Sequence, residues 1–230
     1  MLAADSPWQA HAMQRIVTGR PEPRTPPERV DWSTGGGAGP GTEVLGRDLL
    51  GNRVLELGCG AGHHVAHLAL HHGARSVGVD LVDLQIRRAR AHYGHVDGAS
   101  FAVVDALRHL QTPGETYDAI YSVFGAIGLV PPEPLFRAAA SRLCPGGVLA
   151  FSVPHPERAG RRPSPDDRPR EDYVTLPDRT RIPVERWEFD AQCWGVHLSR
   201  AGLRITSATG LGPAHPGPWP TSLLITARRR

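Results

Sequence analysis

The stretch Val54-Leu55-Glu56-Leu57-Gly58-Cys59-Gly60-Ala61-Gly62 constrains this chain more than any other part of it. Its apolar start reads as a buried strand. Alternate glycines then force a tight turn before a helix that begins near His63. Glycine reaches left-handed backbone angles and lets a ligand approach the bare main chain. The free amides of the first helical turn point at whatever lies there. A strand, a glycine turn and a helix start together make a ligand-binding device of an α/β sheet. The dinucleotide version needs G-x-G-x-x-G, and its third glycine would stand where this chain has His63. The pattern present is Glu56-x-Gly58-x-Gly60-x-Gly62, with an acid close to the strand end.

Further strands and helices alternate downstream, which is the pattern of a parallel sheet. Ser76 to Asp80 reads as a second strand ending in an acid, followed by a helix from Asp83 to Tyr93. A carboxylate at that place can accept both hydroxyls of a ribose. It could instead cap the following helix; Asp83 is the better cap and leaves Asp80 free. Phe101 to Ala106 is a third strand and its exit, where Asp105 is either a ligand contact or the cap of a helix from Leu107 to Leu110. Thr116 to Gly125 is a fourth strand. A helix from Pro134 to Leu143 ends at Cys144-Pro145-Gly146-Gly147 and turns back into a fifth strand, Val148 to Val153.

Taken in order, the glycine turn, Asp80, Asp105-Ala106 and Arg142-Leu143-Cys144-Pro145-Gly146-Gly147 resemble the motifs of class I S-adenosylmethionine (SAM) dependent methyltransferases of the small-molecule type. The resemblance covers residues 50 to 153 and the remainder in outline. It implies a doubly wound α/β fold: a seven-stranded, mostly parallel sheet with the last strand antiparallel. It implies SAM as cofactor, held by Glu56, Gly58, Cys59, Gly60, Gly62, His63, Asp80, Leu81, Gln85, Asp105, Ala106, Ser122 and Val123. Glu56 would hold the methionine end, Asp80 the ribose, and Asp105 with Ala106 the adenine. Phe124 would lie near the sulfonium or the acceptor, where a ring face attracts a cation. No N-P-P-Y or D-P-P-Y follows the fourth strand, which counts against DNA-adenine and protein-glutamine acceptors.

The ends of the chain frame this core. Leu2 to Val17 reads as a helix with Ser6-Pro7 at its start, and Trp8 would help cover the acceptor. Residues 1–45 form a cap and lead-in segment. Asp31-Trp32-Ser33-Thr34 with Gly35 to Gly37 is similar to the family's run past the cofactor, and Thr42 to Leu50 suits a short helix. Residues 154–186 are dense in Pro, Arg and Asp and lack periodicity, so they are expected to form an irregular, mobile lid-like insert. His155 opens it and is the candidate general base and substrate contact. A helix from Glu185 to Gly202 and strands Leu203–Ala208 and Trp219–Arg228 complete one domain over 1–230.

Composition narrows the function classes. The chain has 230 residues and a net charge of +3, and all 26 basic residues are Arg, which removes lysine chemistry. That near-neutral balance argues against nucleic acid as a partner. No apolar run reaches spanning length and no leader pattern opens the sequence, so no membrane is expected. Cys59, Cys144 and Cys193 are odd in number and lack a C-x-x-C pair, which points to a reducing cytoplasm and no metal. His63, His67 and His71 share a helix face without an acid, so they read as surface histidines, with His63 alone near the ligand. The expected activity is methyl transfer to an O, N or C atom of a small molecule, as in secondary metabolism, by a monomer or homodimer. A methyltransferase of protein or RNA, and a non-catalytic SAM-binding protein, are the alternatives.

Overall fold

In the computed structural model, which describes residues 6–17, 25–33, 39–212 and 219–230, the apolar run becomes the central strand β1 (Arg53–Leu57). Val54, Leu55 and Leu57 are all fully buried. A strand covered on both faces is apolar at successive positions rather than alternate ones. β2 (Arg75–Asp80), β3 (Ala99–Val103), β4 (Tyr117–Val123) and β5 (Leu143–Pro154) run parallel to it. β8 (Leu203–Leu211) and β9 (Ser222–Arg229) complete a seven-stranded sheet in the order β3-β2-β1-β4-β5-β9-β8. β9 pairs antiparallel with β5 and β8, so the last strand alone runs against the rest. This is the doubly wound sheet that the resemblance implies.

Helices cover both faces. α2 (His63–His72) and α3 (Asp83–Tyr93) begin and end where the sequence places them. They pack Val65, Ala66, Ile86 and Ala89 with Phe101 on one face. Val30 and Trp32 of the lead-in segment extend that layer, with Trp32 edge-on to Tyr121 at 6.0 Å between ring centres. On the other face lie α4 (Ala106–Gln111), α5 (Pro132–Arg142) and α6 (Ala191–Arg200). Phe136, Phe151, Phe189 and Trp194 interlock there with ring centres 5.0–5.8 Å apart. Large aromatic surfaces buried in this way dominate core energetics.

Three expectations are corrected. Thr42 to Leu50 does not form a helix beyond a single 3-10 turn at Thr42–Val44. The helix expected from Glu185 starts only at Ala191, because Glu185 and Arg186 end a strand and Asp190 caps the helix, accepting from Cys193 N at 2.8 Å. The 154–186 insert is not irregular: it holds an antiparallel hairpin of β6 (Arg170–Thr175) and β7 (Arg181–Arg186). The hairpin is rooted in charge. Asp172 accepts from Arg186 Nε at 2.9 Å and from Arg158 at 3.1 Å, while Arg158 and Arg161 reach the buried Glu188 at 2.5 and 3.0 Å. α1 (Pro7–Val17) starts on Ser6, whose Oγ accepts from Trp8 N at 3.3 Å. Leu2 to Asp5 and the run Thr34 to Gly37 lie outside the described residues.

The α2 histidines are not all at the surface. His67 is 1% exposed, with Nδ1 2.7 Å from Pro27 O and Nε2 3.3 Å from Thr42 Oγ1. Burial, with His72, His71 and His64 nearby, pulls its pKa down from 6.5 to about 4, and the bond to Pro27 opposes that shift. The unfolded chain therefore takes up this proton at a higher pH than the native one. The stability held by neutral His67 is complete above pH 6.5 and is lost as pH falls towards 4, about 3 kcal/mol over the interval. Urea unfolding at pH 7 and pH 4 should show His67→Gln with a flatter acid slope than the parent chain. Equal slopes would contradict this.

Candidate functional site

The turn after β1 is built by close backbone approach. Gly58 has φ +77°, and a Cβ on it would lie 2.7 Å from Ala126 N and 2.8 Å from Gly125 Cα. The loop after β4 thus touches the glycine turn main chain to main chain. A Cβ on Gly62 would fall 2.5 Å from Phe101 Cε1, so this glycine serves the packing of α2 on β3. Gly60 differs. A Cβ there would meet only Gln85 Nε2, at 3.8 Å, so its bare backbone faces open space.

Asp80 closes β2 beside that turn. Its Oδ2 accepts from Gly60 N and its Oδ1 from Val82 N, both at 2.9 Å. The capping arrangement expected from the sequence is therefore corrected. Val82 precedes α3 without a side-chain cap, and Asp83 pairs with Arg87 at 2.6 Å. Asp80 is engaged in holding the glycine turn, and each of its oxygens retains a second lone pair. Burial raises its pKa, and the two amide bonds work against that rise. Asp105 does cap α4, accepting from Arg108 N at 2.9 Å through Oδ1, with Oδ2 outside that bond. Glu56 is 3% exposed; it accepts from Tyr121 Oη at 3.1 Å and lies 3.4 Å from His64 Nδ1. Burial and the neighbouring Glu56 push the Tyr121 phenol well above its ordinary range.

These groups face one cavity of about 1060 Å³ at the C-terminal ends of β1, β2 and β4. That is where open α/β sheets bind ligands. Of the residues singled out from the sequence, Glu56, Gly58, Cys59, Gly60, His63, Asp80, Leu81, Gln85, Asp105, Ala106 and Val123 line it, as do Trp8 and Phe124. Gly62, Ser122 and His155 do not. Ser122 is fully buried; its Oγ donates to Leu57 O at 2.8 Å and accepts from Ile127 N at 3.3 Å, which ties the β4 exit to β1. Phe124 sits at φ +48°, a left-handed angle that costs a side-chain-bearing residue about 1–2 kcal/mol. Such strain gathers at functional sites.

His155 is corrected as the candidate base. Its Nδ1 accepts from Glu157 N at 3.2 Å, and its Nε2 would lie 3.5 Å from a Cβ on Gly210. The ring faces the β8 edge, outside the cavity lining, and burial lowers its pKa. Among the described residues, the imidazole that does line the cavity, besides those of α2, is His11, one turn after Trp8 on α1. The i, i+3 spacing from Trp8 carried that signal in the sequence.

The cover expected from the N-terminal helix and the 154–186 insert includes a strand that the sequence did not disclose. Ile182, Val184 and Glu185 of β7 line the cavity opposite Leu129 and Val130. α1 and the hairpin clasp each other over the opening. Gln14 Nε2 donates to Asp178 Oδ2 at 2.5 Å, and the Arg186 guanidinium lies 5.6 Å from the centre of the Trp8 ring. Trp32, by contrast, packs beneath the sheet and donates from Nε1 to Gly41 O at 3.0 Å. Residues 25–33 and 39–45 thus contribute Val30 and Trp32 to the core and do not line the site.

Residues 54–147 match the methyltransferase domain family. Among curated relatives, the chain is 33% identical over 105 residues to methyltransferase GfsG of Streptomyces halstedii, spanning 44% of this chain and 37% of that protein. It is 32% identical over 161 residues to erythromycin 3''-O-methyltransferase of Saccharopolyspora erythraea, spanning 66% of this chain and 51% of that one. The chain thus spans about half the length, or less, of these relatives. A solved S-adenosylmethionine-dependent methyltransferase from Mesorhizobium loti superposes with a TM-score of 0.62 at 25% identity, over 79% of this chain and 93% of that chain.

Proposed function

On the premise that this chain carries a class I SAM-dependent methyltransferase domain, we propose that it transfers the methyl group of SAM to an O, N or C atom of a small-molecule acceptor, as in secondary metabolism. One observation carries the reading. A single cavity joins the glycine turn and Asp80 at its floor to the roof of α1 and the hairpin. Its volume, about 1060 Å³, is at the top of the range for a single ligand and suits a cofactor and an acceptor side by side.

The residues present fit SAM. The bare backbone of Gly60 receives the cofactor's tail, with Gly58 and Cys59 beside it and Glu56 at its amino end. The spare lone pairs of Asp80 accept the ribose hydroxyls, with Gln85 within reach of them. Asp105, through Oδ2, and the Ala106 amide meet the adenine edge, and Leu81 covers its face. Bound SAM supplies an electrophilic methyl on a sulfonium whose departure as a thioether needs no acid. What remains for the protein is alignment and exclusion of water. Trp8, Phe124, Val184 and Leu129 form the apolar walls that hold the acceptor in line. Where the acceptor must lose a proton, His11 is the side chain placed to take it. The three free thiols suit a reducing compartment. Among the described residues, no helix is long and apolar enough to cross a membrane.

Calorimetry with SAM, S-adenosylhomocysteine and NAD(H) tests the cofactor class, and a screen with labelled SAM then identifies the acceptor. Binding of NAD(H) in preference to SAM would overturn the reading. Two variants divide the site. Trp8→Ala should raise the acceptor KM about tenfold while leaving the SAM Kd within about twofold, since a truncated aromatic loses about 1–3 kcal/mol of contact. His155→Ala should leave kcat within about twofold because its ring lies outside the cavity. A collapse of kcat in that variant would return His155 to the role of base.

A further inference from the structure

We propose that Asp167, Cys193 and His197 bind a divalent transition-metal ion of the zinc type and fasten the 154–186 insert to α6. The three side chains converge from two elements. Cys193 and His197 stand at i and i+4 on one face of α6, and Asp167 comes from the insert that ends in the roof hairpin. One ligand atom from each lies within 4.8 Å of the other two. Asp167 Oδ1 is 3.3 Å from His197 Nε2 and 3.8 Å from Cys193 Sγ. Zinc bonds of about 2.0–2.3 Å at tetrahedral angles put nitrogen and oxygen ligands about 3.4 Å apart, and sulfur and oxygen about 3.6 Å apart. The side chains already hold these separations to within a few tenths of an ångström. Three protein ligands leave a fourth position for water.

A second, independent observation points to a ligand. His197 is 5% exposed, and neither ring nitrogen makes a hydrogen bond. Its ring is held flat against Phe189, 5.1 Å away at 15°, so it cannot turn to find another partner without losing that stacking. A buried imidazole whose ring nitrogens make no hydrogen bond, and whose ion-pair neighbour Asp167 belongs to the same cluster, calls for a missing ion or water. The charge of the site favours a cation. The carboxylates of Asp167 and Asp190 lie beside Cys193, and a bound metal itself displaces the thiol proton. The missing C-x-x-C pair, which argued against zinc in the sequence, does not bear on a Cys-x3-His site completed by a distant Asp.

The full chain, stripped with a chelator, is titrated with Zn2+ against a chromophoric competitor and with Co2+ by absorption. One equivalent should bind, and the cobalt form should show a thiolate-to-metal charge-transfer band. Cys193→Ser should abolish that band. Asp167→Asn, whose side chain is 65% exposed and whose change the fold should accept, should weaken Zn2+ at least about tenfold. A His71→Gln/His72→Gln control should alter neither readout. Zinc should raise the Tm of the parent chain and not that of Cys193→Ser. Binding of less than one equivalent, a cobalt spectrum without a thiolate band, or unchanged affinity in Asp167→Asn would overturn the site. Each readout is metal binding itself, so the result stands apart from whether the cavity binds SAM.

Discussion

Asp80→Ala should weaken SAM binding by about 100-fold or more, measured by calorimetry on folded protein. The carboxylate is proposed to accept two ribose hydroxyls, and hydrogen bonds to a charged group contribute about 1.5–3 kcal/mol each. Even two bonds at the low end exceed the roughly 2.7 kcal/mol that separates a hundredfold change in Kd. The same oxygens also hold Gly60 N and Val82 N, so the variant loosens the turn as well as the sugar. The pH dependence has opposite signs for stability and for binding. Burial raises the Asp80 pKa, so the native state resists its ionisation. Its effect on stability is therefore most favourable below the ordinary carboxylate value, and that advantage is lost as pH rises through the interval up to the raised one. Ribose binding needs the ionised form and falls as pH drops through the raised pKa. Asp80→Asn should cancel both slopes. An unchanged SAM Kd in Asp80→Ala would remove the foundation of the proposed site.

Gly125→Ala should lower stability by about 3–5 kcal/mol, because the clash is with main chain and cannot be relieved by turning a side chain. The added Cβ would meet the Leu57 carbonyl oxygen and would stand 2.9 Å from both Gly58 O and Ser122 Oγ. The β1 turn and the β4 loop would have to separate, and both line the cavity. For a domain of this size the Tm should fall by roughly 6–20 °C. SAM affinity should drop with it even where the variant remains folded. A melting curve that superposes on the parent would show that these two loops yield without cost.

The parts of this molecule that were plain in the sequence are those where one physical demand acts alone. β1 had to carry Val54, Leu55 and Leu57 in near succession because both its faces are covered. α3 could be bounded from Asp83 to Tyr93 because turn residues flank a helical pattern. The hairpin escaped notice for the opposite reason. Its inward positions include Arg170, Asp172 and Arg186 alongside Val174 and Ile182, so an ion network breaks the alternation that would mark a strand. Glu188 fell within the helix expected from Glu185, yet it precedes α6 and is 2% exposed between two arginines. Asp80 lines the cavity and also holds the glycine turn, a second task that the sequence leaves unseen because Gly60 lies twenty residues away. His155 was misplaced because a loop after β5 can face either the cavity or the sheet edge, and only packing decides.

The clasp between α1 and the hairpin bears on how such a chain acquires new preferences. Both halves of the cover, residues 7–17 and 170–186, lie outside the segment shared with the wider family. Under the proposed function, exchanging them together would re-aim the transferred carbon at a different compound while the nucleoside berth stayed as it is. Exchanging one alone would strand Gln14 or Asp178 and leave the vault ajar.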